Sequence, residues 1–419
     1  MKVSVPLAFH DPSRAASIDP ETLVLPYRAS PLSSTQARFR GRWTAEPAID
    51  LSQYECRAVF DCVEIAVETR KDQISVNLHR TLMRLNDQHG GFFSCFVGGP
   101  DRRVFSRGRR FTIKFHDPNP VGFKHVLKAF AHEVCVEDAP EIPMVGFELS
   151  LDVYPAPSVY VTPEAYARAR MVMTELLRKH IAINEVFRSG RRRARFTHAG
   201  PDGPEGSAST RYMLQSAGAL SLALRQRGRR LGVPGHLLRP REPEAHHHPP
   251  IDSTMYVGDQ QERLLYRIMD KVTDRRCGAH AEALAVTDTR SRIEFCLRDE
   301  RPGDGLGPAS ICLGQAMDLG PQGLRFLNTL LLFELPTFTP GASEPAGPDP
   351  CEWQIFAKTG VGGLGHMQAA GLVMNGDRAS RKAEAERAVM SPGLNRRFSA
   401  LNRRVSGALT RLEKQWRPR

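Results

Sequence analysis

Two segments of the chain, residues 144–154 and 289–300, each contain a stretch of alternating residues, at 147–153 and at 293–298. Because successive side chains of a β-strand point to opposite faces, this pattern predicts two half-buried strands. The polar face of the first strand carries Glu148 and Asp152, and that of the second carries Glu294. If the two strands are neighbours in one sheet, these acids converge on one surface.

Other segments predict further strands and helices. Branched and aromatic residues at 56–68, and alternation from Arg109 onward, favour strands. Apolar spacing or capping residues favour helices at 73–87, 121–134, 162–179 and 394–416. Residues 273–286 are predicted to form a short helix or loop. Together these elements predict an α+β fold with a central, mostly antiparallel sheet and helices on one face.

Stretches rich in proline, glycine and arginine divide the chain into predicted parts. Residues 1–50 have no sustained period and predict an irregular N-terminal arm. Residues 51–335 are expected to form the main domain, which a basic and partly helical insertion interrupts at about 155–253. Residues 336–419 are expected to form a linker and a basic C-terminal module.

The segment from Tyr256 to Lys271 reads Y-V-G-D-Q-Q-E-R-L-L-Y-R-I-M-D-K. A glycine turn followed by a short apolar run predicts a strand. Arg263 and Arg267 lie within this apolar run, and charged residues at such positions are unusual for a buried strand. The pattern indicates a strand that faces an anion.

The chain has 419 residues and a formal charge of +12, which comes mainly from arginine. A basic surface attracts polyanions by releasing their counterions, and nucleic acid is the commonest such partner. The candidate DNA-binding residues lie in the insertion and in the 256–271 segment. They are Arg191, Arg192, Arg193, Arg195, Arg263 and Arg267. The alternative is that arginine replaces lysine in a GC-rich genome without any function.

The eight cysteines form no C-x-x-C pair, and most lie in apolar runs. They predict free thiols in a reducing compartment rather than a zinc site. The sequence contains no apolar run of about 18 residues and no convincing secretory signal. We therefore expect a cytoplasmic protein that does not span a membrane.

Three acids are candidate metal ligands. The carboxylates of Glu148, Asp152 and Glu294 would hold Mg²⁺ or Mn²⁺, and such an ion can polarise a phosphate. The alternative is that these acids lie on the solvated face of a half-buried sheet. Two other motifs are weaker signals. The glycine-rich segment 359–365 lacks the G-K-[ST] ending of a phosphate-binding loop, and the histidines 246–248 have no further ligand at suitable spacing.

The 256–271 segment resembles the signature of the rolling-circle replication initiators of small staphylococcal plasmids, which related conjugative relaxases and filamentous-phage initiators share. The matching positions are Tyr256, Gly258, Arg263, Arg267, Ile268 and Lys271. Strands of the family are matched in the same order by Phe60-Asp61, F-T-I-K-F-H-D-P-N at 111–119, F-E-L-S-L-D-V at 147–153 and R-I-E-F-C-L-R at 292–298. The resemblance spans residues 56–300, with a longer insertion than is usual.

The resemblance implies a site-specific nickase that initiates rolling-circle DNA replication. In that family a tyrosine hydroxyl attacks a DNA phosphate at the origin, leaving a 5′-phosphotyrosine and a free 3′-hydroxyl with the help of a metal ion. The implied partner is origin DNA, as a hairpin or a single strand, and the resemblance also allows a homodimer and a host helicase. Two alternatives stay open: a catalytically inactive DNA-binding regulator or accessory protein derived from such an initiator, and an RNA-binding or scaffold protein.

The sequence departs from the family pattern at important positions. Met269 stands at the position of the nucleophilic tyrosine, and Lys114 and Cys296 stand where the family has acids. Tyr266 is the nearest substitute nucleophile, and it joins Lys271 as a catalytic candidate. On a strand, however, a residue three positions from Met269 points to the opposite face.

Overall fold

An antiparallel sheet of seven strands organises the fold. The structure is a computed structural model, and it describes residues 1–9, 23–33, 36–99, 106–136, 142–183, 195–197, 211–213, 248–258, 264–277, 280–298, 327–341, 346–374 and 394–416.

The regular elements are defined by their residue ranges. The strands are β1 (Lys2–Pro6), β2 (Val24–Pro31), β3 (Trp43–Pro47), β4 (Tyr54–Ile74), β5 (Ser94–Gly98), β6 (Arg107–His116), β7 (Met144–Pro155), β8 (Ile181–Ala182), β9 (Arg195–Thr197), β10 (Arg211–Met213), β11 (Thr254–Val257), β12 (Leu264–Lys271), β13 (Thr273–Cys277), β14 (His280–Ala283), β15 (Arg290–Arg298), β16 (Leu332–Leu335), β17 (Thr337–Phe338) and β18 (Arg396–Arg397). The helices are α1 (Ser75–Gln88), α2 (Pro120–Glu133), α3 (Pro163–His180), α4 (Leu327–Leu330), α5 (Pro350–Met374) and α6 (Ser399–Trp416).

The main sheet has the strand order β11-β12-β15-β7-β4-β6-β5, and every neighbouring pair is antiparallel. The short strands β9 and β10 extend it beyond β11. Helices α3 and α6 pack against it. The predicted α+β class, with an antiparallel central sheet and helices packed against it, is confirmed.

One face of the main sheet is apolar. Four rings on neighbouring strands form an aromatic row across it, with successive centroids 5.4, 5.7 and 6.0 Å apart: Phe60, Phe147, Phe295 and Tyr266. Trp416, near the end of α6, continues this row with its ring 5.1 Å from that of Phe60. Because strand residues alternate between faces, the residues between these aromatics point to the other side of the sheet.

Helix α3 is buried in the fold, although it belongs to the predicted basic insertion. The side chain of Thr162 caps its N-terminus, as the sequence predicts. Four of its basic residues are buried, namely Arg170, Arg178, Lys179 and His180, whereas Arg168 is exposed. Among the buried ones, Arg170 donates to Asp270 at 3.1 Å, and Arg178 donates to a backbone carbonyl at 3.0 Å. These cations hold the helix against the sheet and do not form a surface for a polyanion.

Residues 1–50 contain a second sheet, so the prediction of an irregular arm is wrong for the described part of this segment. Strands β1, β2 and β3 are antiparallel neighbours, and β17 pairs with β3, with Phe338 opposite Trp43. Leu25 and Tyr27 of β2 are buried. The strands are short and irregular in sequence, and a partner from the far end of the chain stabilises them. The predicted domain limits themselves stay predictions.

Two other segments also differ from their predictions. Residues 273–286 were expected to form a helix or loop, but β13 and β14 pair there as antiparallel strands. β17 lies at the start of the segment 336–419, where a linker was expected. Helix α6 packs on β4, where Arg404 and Arg411 donate to backbone carbonyls at 2.9 and 2.6 Å. The described C-terminal residues therefore share the core of the main sheet.

The described cysteines with assigned states are free thiols, which confirms that prediction for Cys56, Cys62, Cys95, Cys135, Cys296 and Cys351. Among the helices of the described ranges, none combines the length and the apolar character that a membrane crossing requires.

Helix α5 explains the glycine-rich segment 359–365. The helix is bent at Gly360, whose φ of 69° and ψ of −167° are not helical. The end of α3 lies against this bend, because a Cβ atom at Gly360 would be 2.6 Å from the carbonyl oxygen of Lys179. Both the positive φ and the close approach require glycine. The segment is a site of helix packing.

We expect Gly360→Ala to lower the free energy of unfolding by about 2 kcal/mol or more, because the substitution strains the backbone and clashes with α3. Gly362→Ala is the matched control in the same helix, since nothing lies within 4 Å of a Cβ there. It should leave stability unchanged or raise it by up to ~1 kcal/mol. Urea unfolding measures both variants. Equal effects would contradict the assigned role of Gly360.

Candidate metal centre

The antiparallel register places Glu148 and Glu294 on the same face of the main sheet. Strands β7 and β15 are neighbours, with Cys296 opposite Glu148 and Ser150 opposite Glu294. Directly opposed residues of an antiparallel pair point to the same side, so the two glutamates are diagonal neighbours. We name this side, which is opposite the aromatic row, the carboxylate face.

A β-bulge in β4 brings a third acid to the same place. The pairing of β4 with β7 shifts between Phe60 and Cys62, so Asp61 is an extra residue next to the partner of Glu148. Bulges of this kind redirect a side chain locally. Ligand atoms of Asp61, Glu148 and Glu294 all lie within 4.8 Å of one another. These three residues are the carboxylate triad.

Asp152, which the sequence predicted as a metal ligand, lies outside the triad. Both of its carboxylate oxygens accept hydrogen bonds from Arg292 at 2.6 Å, and Nε of Arg290 lies 3.0 Å from Oδ2. Asp152 is 3% exposed, so these arginines neutralise a buried charge. The structure therefore brings Glu148 and Glu294 together as predicted, but their third neighbour is Asp61.

Two arginines lie among the triad carboxylates. Arg267 donates to Glu148, and its Nε is 2.9 Å from Glu294, the residue directly opposite it on β15. Nη1 of Arg292 is 3.3 Å from both Asp61 and Glu294. Arg267 was predicted to face a DNA phosphate, but in this structure its guanidinium binds carboxylates of the protein itself.

These arginines keep their charge. Burial alone lowers the pKa of Arg267 and of Arg292, but the neighbouring carboxylates outweigh burial and raise both pKa values above the usual arginine value. Two positive charges thus stand against the three carboxylates of the ionised triad. The site is held together by charge pairs and carries little net charge.

The Asp61 carboxyl has a raised pKa. Burial raises this pKa to about 6, while Arg292 and the hydrogen bond from the Ser150 hydroxyl act in the opposite direction. The neighbouring Cys296 thiol lies 3.2 Å from Oε2 of Glu148, to which it donates, and burial raises the thiol pKa to about 12. At neutral pH Cys296 is therefore a hydrogen-bond donor and not a thiolate ligand.

The triad fits a hard divalent cation. Mg²⁺ and Mn²⁺ prefer carboxylate oxygens, and three such groups converge here on a half-buried surface. Arg267 and Arg292 occupy some of the same oxygens, so an ion would have to displace part of their contacts. The type and spacing of the donors support metal binding, and the guanidinium contacts oppose it.

The catalytic candidates from the sequence lie on opposite faces of β12. Tyr266 is 1% exposed, and its hydroxyl donates to the carbonyl of Leu330 at 2.9 Å on the apolar face. This hydroxyl has no access to a DNA phosphate. Met269 and Lys271 are on the carboxylate face, where Nζ of Lys271 lies 3.7 Å from Asp274.

Most of the predicted DNA-binding arginines lie outside the described residues, namely Arg191, Arg192, Arg193 and Arg263. Arg195 belongs to β9, where it pairs with Tyr256. Four arginines line two grooves beside α6. Arg404 and Arg411 donate to backbone carbonyls, which leaves Arg397 in one groove and Arg403 in both. Neither of these two makes an ion pair within the ranges that the structure describes, so both are available to an anion.

Sequence analysis missed two members of the site. Asp61 was noted only within Phe60-Asp61, which resembles a strand of the initiator family. No pattern in the sequence predicts the bulge that directs Asp61 toward Glu148. Arg292 could have been found from the strand pattern, because it precedes Glu294 by two residues and therefore points to the same face. The charge pairing of Asp152 with Arg292 was not considered.

A comparison with protein-family models finds no matching family, and a comparison with curated proteins finds no similar sequence. The resemblance to rolling-circle initiators therefore stays a prediction from the residues.

We expect the protein to bind Mn²⁺. Glu148→Gln and Glu294→Gln should each weaken this binding about tenfold or more. The loss of an outer-shell partner lowers metal affinity by about 10–100-fold, and the loss of a direct ligand should lower it at least as much. Isothermal titration of the metal-free protein with MnCl₂ measures this. The control is Glu133→Gln, which changes an exposed acid on α2. Equal affinity in the wild type and all three variants would show that the triad is not the metal site.

Asp61 should make stability depend on pH. Its folded pKa of about 6 exceeds the ordinary value of 3.8, so protonation favours the folded state. The stabilising contribution is complete below about pH 4 and is lost as the pH rises through about 6. The Asp61→Asn variant has no carboxyl to ionise, so it does not lose this stability. As the pH rises between these limits, its free energy of unfolding should therefore increase relative to that of the wild type by roughly 1–3 kcal/mol. Urea unfolding in EDTA at several pH values measures the difference. A difference that stays constant with pH would contradict the assigned environment.

Proposed function

We propose that the chain is a DNA-binding replication initiation protein of a plasmid, phage or integrative element, with a metal-dependent nicking site on the carboxylate face. The observation that carries this proposal is the carboxylate triad, which three different strands supply on the polar side of an antiparallel sheet. Arg267, in the segment that resembles the initiator signature, is in direct contact with two of its members.

Each part of the site would have a distinct role. A bound divalent ion supplies stabilisation of negative charge on the phosphate. Arg267 and Arg292 would exchange some carboxylate contacts for phosphate oxygens, because a guanidinium binds both kinds of oxyanion in the same geometry. Lys271, on the same face, adds a positive charge near the DNA backbone.

The grooves beside α6 offer a second surface for the DNA backbone. Arg397 and Arg403 line them and make no ion pair within the described ranges, although Glu55 also lines one of the grooves. Arginines of this kind bind phosphates without reading the base sequence, and they add salt-dependent affinity. Both arginines lie in residues 336–419, the segment that the sequence predicts as a linker and a basic C-terminal module.

A second candidate function is DNA binding without nicking, by a regulator or accessory protein derived from an initiator. Two observations favour it: Met269 stands at the family's nucleophile position, and the guanidiniums of Arg267 and Arg292 already balance the triad. In this alternative the charge pairs hold the sheet together and no phosphodiester bond is broken.

We expect the protein to nick supercoiled plasmids that carry DNA fragments flanking its gene, in Mn²⁺ or Mg²⁺ but not in EDTA. Agarose gels and a denaturing gel for covalent protein–DNA adducts measure this, with Glu148→Gln as the inactive control.

Gel shifts in EDTA test DNA binding separately. Arg403→Glu should weaken binding there, and Arg84→Glu, which changes an exposed arginine paired with Glu133, should not. If the protein binds DNA but nicks it in neither metal, the regulator is favoured. If the gel shifts show no preference for DNA over RNA, both functions are overturned.

A further inference from the structure

The tyrosine hydroxyls of the protein differ in their availability. Most of them make hydrogen bonds inside the fold. The bonded group comprises Tyr27, Tyr54, Tyr160, Tyr166 and Tyr266. Tyr212 belongs to β10, where only the backbone is described. Two tyrosines remain, Tyr154 and Tyr256, and their hydroxyls make no hydrogen bond within the described part of the chain.

Tyr154 is on the carboxylate face but away from the triad. It follows Asp152 by two residues on β7, and its ring lies between two guanidinium groups, 4.8 Å from Arg57 and 5.8 Å from Arg290. These contacts belong to the Asp152 charge cluster. Burial also raises the pKa of Tyr154. Its ring is thus part of a packed cluster of charges.

Tyr256 is separated from the triad by one residue, Arg267, in the register of the sheet. It lies directly opposite Arg267 in the pairing of β11 with β12, so both side chains are on the carboxylate face. Arg267 in turn contacts Glu148 and Glu294. Tyr256 is half-buried and lies on a four-residue strand that pairs with β12 on one side and with β9 on the other.

The register also relates Tyr256 to the position where the nucleophile is missing. Met269 follows Arg267 by two residues, so Tyr256 and Met269 are diagonal neighbours on the same face of two paired strands. Side chains in this relation are roughly 7–8 Å apart at their backbones, which is within reach of an aromatic side chain. The hydroxyl of Tyr256 can therefore reach the surface of the carboxylate face beside the Met269 side chain.

We propose that Tyr256 is the nucleophile of the nicking reaction. This inference rests on the proposed function. The phenolic oxygen of Tyr256 attacks the phosphorus of a DNA phosphodiester and forms a tyrosyl O–P bond, while the P–O3′ bond breaks. The phenolic proton passes to water, and the departing 3′-oxygen takes a proton from water. No electrons are gained or lost, and the products are a 5′-phosphotyrosine and a free 3′-hydroxyl.

Covalent adducts test the assignment in the full-length protein. In Mn²⁺ with a supercoiled substrate, we expect the wild type to form an adduct whose modified peptide contains Tyr256, by mass spectrometry after nuclease and protease digestion. Tyr256→Phe should lower adduct formation by about 1,000-fold or more, because it removes the nucleophile itself. Tyr154→Phe and Tyr266→Phe are controls and should keep the adduct. The Tyr256→Phe protein should still bind DNA in EDTA, which separates loss of chemistry from loss of fold.

A second measurement does not depend on activity. Tetranitromethane, which nitrates accessible phenols, should modify Tyr256 faster than the buried Tyr266 in metal-free protein, and a single-stranded oligonucleotide should protect Tyr256. Equal nitration rates, or no protection by DNA, would overturn the proposal.

The outcomes separate the two levels of inference. A wild-type adduct that persists in Tyr256→Phe, or that maps to another residue, overturns the role of Tyr256 and leaves the nicking function standing. If the wild type forms no adduct and nicks no DNA in any metal, the nicking function fails and the role of Tyr256 fails with it.

Discussion

The register of β4, β7, β15 and β12 is the constraint on which the site depends. It sorts the side chains of four strands into an aromatic row on one face and paired charges on the other. A slip by one residue between two strands would turn carboxylates toward the helices and phenylalanines toward water. Each buried phenylalanine favours the observed register by roughly 1.5–3 kcal/mol. The apolar face therefore determines where the acids converge.

The charges on the carboxylate face depend on one another in turn. Three carboxylates at short range repel, and the guanidiniums of Arg267 and Arg292 relieve that repulsion. The raised pKa of Asp61 shows that burial still penalises its ionised form. A divalent ion at this site would replace part of the arginine contacts rather than enter an unoccupied acidic cage. Metal affinity and arginine position are therefore coupled.

Local patterns in the sequence predicted local structure well. Strict alternation located β7 and β15, a capping threonine located the start of α3, and the period-two rule placed Tyr266 on the face opposite Met269. The N-terminal sheet was missed, because its edge strand β17 lies far away in the chain. Asp61 was missed because the bulge depends on how β4 pairs with β7. Long-range pairing decides both features, and no short window of sequence contains it.

The pairing of β3 with β17 has a consequence for protein synthesis. Trp43 meets Phe338 in the finished fold, so β3 leaves the ribosome long before its partner exists. At about 5–20 residues per second this interval is on the order of 15–60 s. During that time β3 has an open edge that other chains could pair with. The connection between the two ends of the chain therefore sets how long this edge of β3 stays unpaired during synthesis.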